Sequence, residues 1–438
     1  MIKPNKNRTG YKSTSIGRIP VDWEVRQLHS VASVKTGPFG AQLHERDYVQ
    51  DGTPIITVEH LGDHGIVHED IPMVSDADRN RLLHYSLKPN DIVFSRVGSV
   101  DRNSLITNSE NGWLFSGRLL RVRPTSQVNP AFLSVYLNYE PTKHKIRKVA
   151  VGQTMPSLNT RILSNIQILL PPLPEQKAIA SILSTWDSAI EKTQKLIAQK
   201  ELQKKALMQQ LLTGKQRLKG FGQEWQRLKL SQVFKLIRTY SYSRDNLTYD
   251  SSDRNHLIIH YGDIHALFEN DILDLDIEKR IPYLKSQFSN DTDFQFLKDG
   301  DVIMADVSED YEGVCECVEI INIKSRKVIG GLHTIVLRDY KDVTVKCFRG
   351  YLFNSDKILN ALRRLATGVS VYGVSKSSLL SIEIDLPPLD EQRAIVNVLA
   401  AAEKGIDLLN QKLSLLKEQK RGLMQKLLTG QVRVQVKK

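Results

Sequence analysis

The sequence predicts an α+β chain: two mixed α/β heads joined by two long antiparallel coiled-coil helices, related by an internal pseudo-two-fold repeat. Three observations carry that expectation. Leu170-Pro171-Pro172-Leu173-Pro174-Glu175-Gln176-Lys177-Ala178-Ile179 returns as Leu386-Pro387-Pro388-Leu389-Asp390-Glu391-Gln392-Arg393-Ala394-Ile395. Leu207-Met208-Gln209-Gln210-Leu211-Leu212-Thr213-Gly214 returns as Leu423-Met424-Gln425-Lys426-Leu427-Leu428-Thr429-Gly430, and 386 − 170 and 423 − 207 both give 216, so the register holds without a gap. Each copy follows a stretch of roughly 150 residues whose two versions differ widely, and a long repeat of this kind fixes architecture before any local reading. The boundaries read as a first head over 1–168, a first helical connector over 169–218, a second head over 219–384, and a second connector with its tail over 385–438.

Composition sets the class. The 438 residues suffice for two or three cores, and 41% hydrophobic with 25% charged residues is ordinary for a globular protein. The net charge of +12 favours a polyanionic partner, nucleic acid first. Cys315, Cys317 and Cys347 are too few and wrongly spaced for a disulfide framework or a zinc site. The polar start and the absence of a long apolar run lead us to expect a cytoplasmic protein without a membrane span.

In the first head, strand-like runs occur at 53–58, 91–95, 119–122 and 166–169, with helical periodicity over 131–147. The first connector then places Ile179, Leu183, Trp186, Ile190, Ile197, Leu207 and Leu211 at alternating four-three steps, with Thr193, Lys200 and Lys204 as polar interruptions. The second head offers strands at 256–260, 301–304, 334–337 and 382–384 and helical periodicity near 352–365. The second connector is cleaner: Ile395, Leu399, Ala402, Ile406, Leu409, Leu413, Leu416, Lys420, Leu423 and Leu427. These are coiled-coil seams. Prolines precede each helix where missing amides cost least, and Gly214 and Gly430 stand ready to cap the ends. About 37 residues make a helix of roughly 55 Å, which cannot bury its stripe alone, so two copies bury theirs on each other. The heads share order too: Asp22-Trp23 parallels Glu224-Trp225, Leu87 to Asp91 parallels Leu297 to Asp301, and Gly152 parallels Gly368.

The repeated Leu-Pro-Pro-Leu-x-Glu-Gln start, the long helix and the Leu-Met-Gln-x-Leu-Leu-Thr-Gly end resemble the conserved regions of type I restriction–modification specificity subunits. So does the opening of the first head, with Gly17, Ile19-Pro20, Asp22-Trp23-Glu24 and Gly37-Pro38-Phe39-Gly40. The likeness covers essentially the whole chain; the interruptions at Lys200 and Lys204 depart from a clean seam. It implies two target-recognition domains, each reading one half of a bipartite site in double-stranded DNA, held apart by a helical spacer. It further implies a non-catalytic subunit of a DNA adenine methyltransferase and type I restriction endonuclease complex, with two methyltransferase subunits around the spacer and translocase–nuclease subunits joining for restriction. A rod of that length suits readers about one DNA turn apart, roughly 34 Å or slightly more.

Side chains that read base edges or hold phosphates mark the candidate surfaces. In the first head these are Gly37, Pro38, Phe39, Gly40 and Gln42, then Arg96, Ser99 and Arg102 on the turn after a strand, then Gln153, Ser157 and Asn159. In the second head they are Tyr240, Ser241, Tyr242, Ser243 and Arg244, where bases interleave with aromatics, then Tyr261, Asp263 and His265, then Tyr372, Ser375 and Lys376.

Catalytic motifs do not survive inspection. Asn129-Pro130-Ala131-Phe132 imitates an amino-methyltransferase motif, but its third position is alanine and a helix start explains it better. Glu175-Gln176-Lys177 imitates a nuclease Glu-x-Lys, yet it sits at a helix start and its repeat carries Arg393. Gly214-Lys215 lacks the glycine of a phosphate loop, and His260 and His265 beside Asp263 lack a metal-ligand array. No cofactor and no metal are expected. Two other readings stay open on sequence alone: a specificity subunit whose partner fuses methylation and cutting, and a coiled-coil adaptor whose basic heads bind protein or RNA.

Overall fold

The structure, a computed structural model, describes residues 2–4, 10–38, 42–62, 65–152, 154–250, 256–268, 270–288 and 294–435. It forms two compact units, one of residues 1–196 with 409–438, the other of residues 197–408.

In the first unit, Asn103–Leu105, Ile92–Ser95, Leu119–Pro124 and Ala32–Thr36 form an antiparallel sheet in that spatial order. A second sheet runs Leu114–Phe115, Thr53–Ile56, Met73–Val74, Tyr48–Val49, its first pair parallel. The second unit repeats the plan. Its larger sheet runs Phe234–Ile237, Thr334–Asp339, Val302–Ala305, Cys317–Ile321, and adds Ile272–Asp274 in parallel at the edge. Its smaller sheet runs Leu247–Thr248, Tyr283–Leu284, His256–Ile259, Val328–Gly330, with the last pair parallel. The order of strands is shared between heads whose sequences diverge.

All eight expected strands form, within a residue or two at their ends. Both stretches of helical periodicity form helices, each divided in two. Residues 131–147 divide into Pro130–Leu137 and Glu140–Val149. Residues 352–365 likewise divide into Phe348–Phe353 and Asp356–Arg363. Pro141 explains the first break, since it has no amide to donate and sits among the opening residues of the new helix, where none is needed.

The long helices span Leu173–Leu211 and Leu389–Leu428. Their ends follow local chemistry. The Pro172 carbonyl accepts from the amides of Glu175 (2.9 Å) and Gln176 (3.1 Å) to open the first helix. Gly214 and Gly430, at φ 69° and 71°, close the two helices in the left-handed conformation that only glycine adopts cheaply. Within each unit the start of one helix lies with the end of the other, so the pairing is antiparallel. In the first unit Ile179 and Leu183 share a core with Leu427 and Leu428; in the second Ile395 and Leu399 share one with Met208, Leu211 and Leu212.

The seam residues are inward-facing. Ile190, Ile197 and Ile406 are buried, and Trp186, Leu207, Leu409, Leu413, Leu416 and Leu423 are half-buried. Two ion pairs fix the register. Lys204 Nζ lies 3.1 Å from Glu403 and 2.8 Å from Asp271, and Lys420 pairs with Asp187. Adding 216 to 204 gives 420, and adding it to 187 gives 403, so these are one contact written twice. Lys204 is therefore a register pin rather than a mere interruption of the stripe. Removing it leaves two nearly buried carboxylates facing each other without a cation. We expect Lys204→Met to cost about 3 kcal/mol and Lys420→Met, at a wetter pair, about 1 kcal/mol in urea unfolding of the full chain. Equal costs would contradict this assignment.

Candidate nucleic-acid interface

Each head docks on its helix through one repeated clamp. Glu175, 3% exposed, accepts from Trp23 Nε1 at 3.1 Å and from Arg433 Nε at 2.8 Å. Glu391 accepts from Trp225 Nε1 at 3.1 Å and from Arg217 Nε at 2.5 Å. Arg217 and Arg433 also differ by 216. The neighbouring glutamines repeat the logic: Gln176 Nε2 donates to Pro171 O and Gln392 Nε2 to Pro387 O, both at 2.8 Å. The Glu-Gln pair thus anchors a helix. A second repeated bridge lies inside each head, where Asp91 meets Arg123 and Asp301 meets Arg338, each at 2.6 Å.

On these frames sit paired loops. In the first head the buried strand Ile92–Ser95 delivers Arg96 into a loop whose Val97 bridges Ser157. The Gly98 amide donates to Pro156 O at 2.9 Å and the Leu158 amide to Arg96 O at 2.8 Å. The structure thereby brings together two stretches that sequence proposed separately, 95–102 and 151–159. Gly152 turns the second loop at φ 105°, where a Cβ would come within 2.6 Å of Met155 O. The tip exposes Val151 and Met155, the latter 65% exposed.

The second head builds the same pair. Val307–Ser308 pairs with Tyr372–Gly373, and the Val374 amide donates to Asp306 O at 3.0 Å. Gly368 takes the turn at φ 137°, and a Cβ there would meet Val371 O at 1.8 Å. Val369, 92% exposed, stands at the tip. Onto this pair packs the helix Tyr261–Leu267, whose His265 reaches Glu316 through Nδ1 at 2.8 Å and Val307 O through Nε2 at 3.3 Å. Tyr311 stands edge-on to Tyr372 with centroids 5.5 Å apart.

The individual candidates divide sharply. Gln42 is exposed and accepts from the Tyr85 hydroxyl at 2.9 Å; Ser99 is exposed; Ser157 bonds Val151 O at 3.2 Å. Arg96 donates to Gly117 O at 3.0 Å, and Arg102 is tied to Leu61 O. Asn159 and Ser375 are exposed but occupied as caps of the short helices that follow them. Ser241, Arg244 and Lys376 are exposed, and Tyr261 and Tyr372 half-buried. Tyr242 packs on Phe288, and Ser243 bonds Asn246 Oδ1 at 2.9 Å. Phe39, Gly40 and Gln153 lie outside the described residues.

Four candidates are buried. Gly37 and Pro38 are buried, and a Cβ on Gly37 would lie 2.1 Å from Ser116 O, so the glycine serves internal packing. Tyr240 is buried, its hydroxyl accepting from the Gln295 amide at 2.7 Å. Asp263, 1% exposed, accepts from the His260 amide at 2.8 Å and pairs with Arg244 at 2.8 Å. Sequence reading missed Arg118, Asp306, Tyr311, Glu316 and His333. Overlaying the heads strand by strand would have found three of them: the Arg96 amide bonds Arg118 O, and the Asp306 amide bonds His333 O.

Charge on these loops is tuned by partners. The hydrogen bond to Glu316 raises His265 above the ordinary imidazole value, with burial opposing. Burial holds the Asp306 carboxyl above its usual range and pushes His260 down to about 4. A raised histidine stabilises the fold fully below its unfolded pKa of about 6.5, and that contribution fades as pH climbs through the folded value. We expect Glu316→Gln to move the His265 titration down toward the ordinary value, read by imidazole proton NMR. An unmoved titration would remove Glu316 as the cause.

Among the described residues no group of His, Cys, Asp or Glu could hold a metal ion, and no helix is long and apolar enough to cross a membrane. Two heads of one topology, presenting different side chains on equivalent loop pairs and docked through one repeated clamp, define a two-headed recognition scaffold. Comparison with known proteins names its kind. The model of the type I restriction modification DNA specificity domain matches residues 20–201 and 222–418, and the chain belongs to that family. It is 27% identical to the putative type I restriction enzyme MjaX specificity subunit of Methanocaldococcus jannaschii over 97% of both chains. It is 22% identical to the type I restriction enzyme EcoKI specificity subunit of Escherichia coli K12, over 87% of this chain and 82% of that one. The fold is shared with the type I system S subunit from M. genitalium, at TM-score 0.54, 13% identity and coverage of 98% and 99%. It is also shared, at TM-score 0.58, 17% identity and coverage of 94% and 99%, with a chain solved in work on complex assembly and conformational transition of the type I system.

Proposed function

We propose that this chain reads an asymmetric bipartite target in double-stranded DNA, one half-site per head, and positions partner methyltransferase and restriction subunits on it. The observation that carries the reading is the contrast between a frame repeated in both heads and loops that differ between them. Arg96 and Arg118 of the first head stand where the second has Asp306 and His333, so one backbone offers donors in one head and mixed groups in the other. Such a substitution changes which base edges are complementary while leaving the docking unaltered. Exposed Val151, Met155, Val369 and Val371 at the loop tips suit thymine methyl groups.

The functional segments are 1–168 and 219–384 for recognition and 169–218 and 385–438 for the spacer. Two equivalent clamps and two equivalent helix starts favour two methyltransferase subunits, one per repeat. The methyl donor chemistry belongs to them, and cutting and translocation to the restriction subunits. Binding by the chain with its methyltransferase partner should prefer the split duplex over random duplex by about a thousandfold or more, and should weaken steeply with salt as counterions are released. Equal binding to both duplexes at all salt concentrations would overturn the reading.

A further inference from the structure

The first unit contains a polar cavity of about 240 Å³. Arg102, Lys143, Lys417 and Lys420 line it, together with Asn103 and Asn138. Asn103 is only 4% exposed, and its Oδ1 accepts from the Ser134 hydroxyl at 3.0 Å. Its Nδ2 donor is buried and donates to no protein acceptor. A buried donor left unmatched is destabilising; Arg102, Lys143 and Lys417, with Lys420 already paired to Asp187, surround it with net positive charge. An oxyanion would supply both the acceptor and the opposite charge.

The repeat shows that this is not a consequence of the fold. Adding 216 to 143 gives Leu359; subtracting it from 417 and 420 gives Glu201 and Lys204. Strand pairing sets Cys317, opposite Met304, where Asn103 stands opposite Phe94. The Arg102 carbonyl accepts from the Ser95 amide as the Glu316 carbonyl does from the Ala305 amide, so Arg102 corresponds to Glu316. The scaffold contact survives in both units, since Asn138 Nδ2 bonds Asn103 O at 3.3 Å and Asn354 Nδ2 bonds Cys317 O at 2.8 Å. Only the first unit converts the position into a basic pocket.

We propose that this cavity is a phosphate-binding site, taking a backbone phosphate of the DNA held by the first head. Arg102 joins the pocket to the loop of residues 95–102, so an occupied pocket would anchor that loop against the strand it reads. The DNA source of the phosphate rests on the function proposed above; free inorganic phosphate offers the same chemistry.

The test replaces Lys143 by Leu and Lys417 by Glu in the full chain, importing what the second unit tolerates at equivalent positions. Lys143→Arg with Lys417→Arg serves as the charge-retaining control. In complex with the methyltransferase partner, the Leu/Glu variant should weaken DNA binding uniformly across sequences and make the log–log salt slope shallower by about 0.9, one phosphate contact. The control should keep the slope. Separately, inorganic phosphate titrated at constant ionic strength into the chain alone should raise the wild-type melting midpoint and leave the Leu/Glu variant's unchanged. Loss of that stabilisation with an unaltered salt slope also supports the site and assigns it to free phosphate. An unchanged slope together with unchanged phosphate stabilisation overturns the proposal, as does a methylated motif altered by the Leu/Glu variant. If the wild-type complex shows no preference for a split duplex, the function proposed above fails while the phosphate titration still decides the pocket.

Discussion

Glu391→Ala is expected to lower the stability of the chain by about 3–4 kcal/mol, one of the largest losses available to a single substitution in it. Glu391 is 1% exposed and is the shared acceptor for Arg217 and for Trp225 Nε1. Truncation leaves an indole donor and a guanidinium facing a void inside the joint between head and helix. The counterpart Glu175→Ala should cost a similar amount, because Trp23 and Arg433 make the same contacts and Arg433 is further held by Asp22 at 2.7 Å. Glu391→Gln, which keeps size and one acceptor, should recover about half. The check is the urea midpoint of the full chain; a loss under about 1 kcal/mol for both alanine variants would mean the clamp is ornamental.

A matched heptad inserted after Leu196 and after Leu408 is expected to widen the unspecified gap in the methylated motif by about three base pairs and leave both half-sites intact. Seven residues add about 10.5 Å of helix, and each base pair about 3.4 Å. The heptad preserves the seam on both sides of the insertion, so Lys204 still meets Glu403 and Lys420 still meets Asp187. The same insertion in one helix alone breaks the match between the two and should abolish assembly. Base-resolved methylation of DNA modified by the variant complex gives the gap directly, and an unwidened gap would show that the helices do not set it.

The architecture was legible because packing wrote it periodically. Ile395, Leu399, Ile406, Leu409 and Leu413 declare a seam wherever the chain ends up, and an offset of 216 declares its copy. The clamp was half legible. Arg217 and Arg433 obey the offset, but their meeting with Glu391 and Glu175 spans 174 and 258 residues, and no local rule encodes such a contact. Lys204 looked like a flaw in the stripe because its partners, Glu403 and Asp271, lie far along the chain.

The candidate loops were legible as segments, but which of their side chains stay exposed was not. Glycine in a loop signals close approach, yet at Gly37 the approaching atom is the protein's own Ser116 carbonyl. Tyr240 and Asp263 carry the right chemistry for reading bases but spend it on Gln295, His260 and Arg244. Sequence shows which groups a residue owns; folding decides which of them remain unspent.

The most direct test of the account is base-resolved methylation mapping in cells expressing this chain with its methyltransferase partner, beside a variant whose residues 219–384 come from another family member. The account predicts methylation confined to an asymmetric split motif with a fixed gap, of which the exchange alters one half and preserves the other. Methylation without a split motif, or an exchange that changes both halves, would contradict two independent readers on one scaffold.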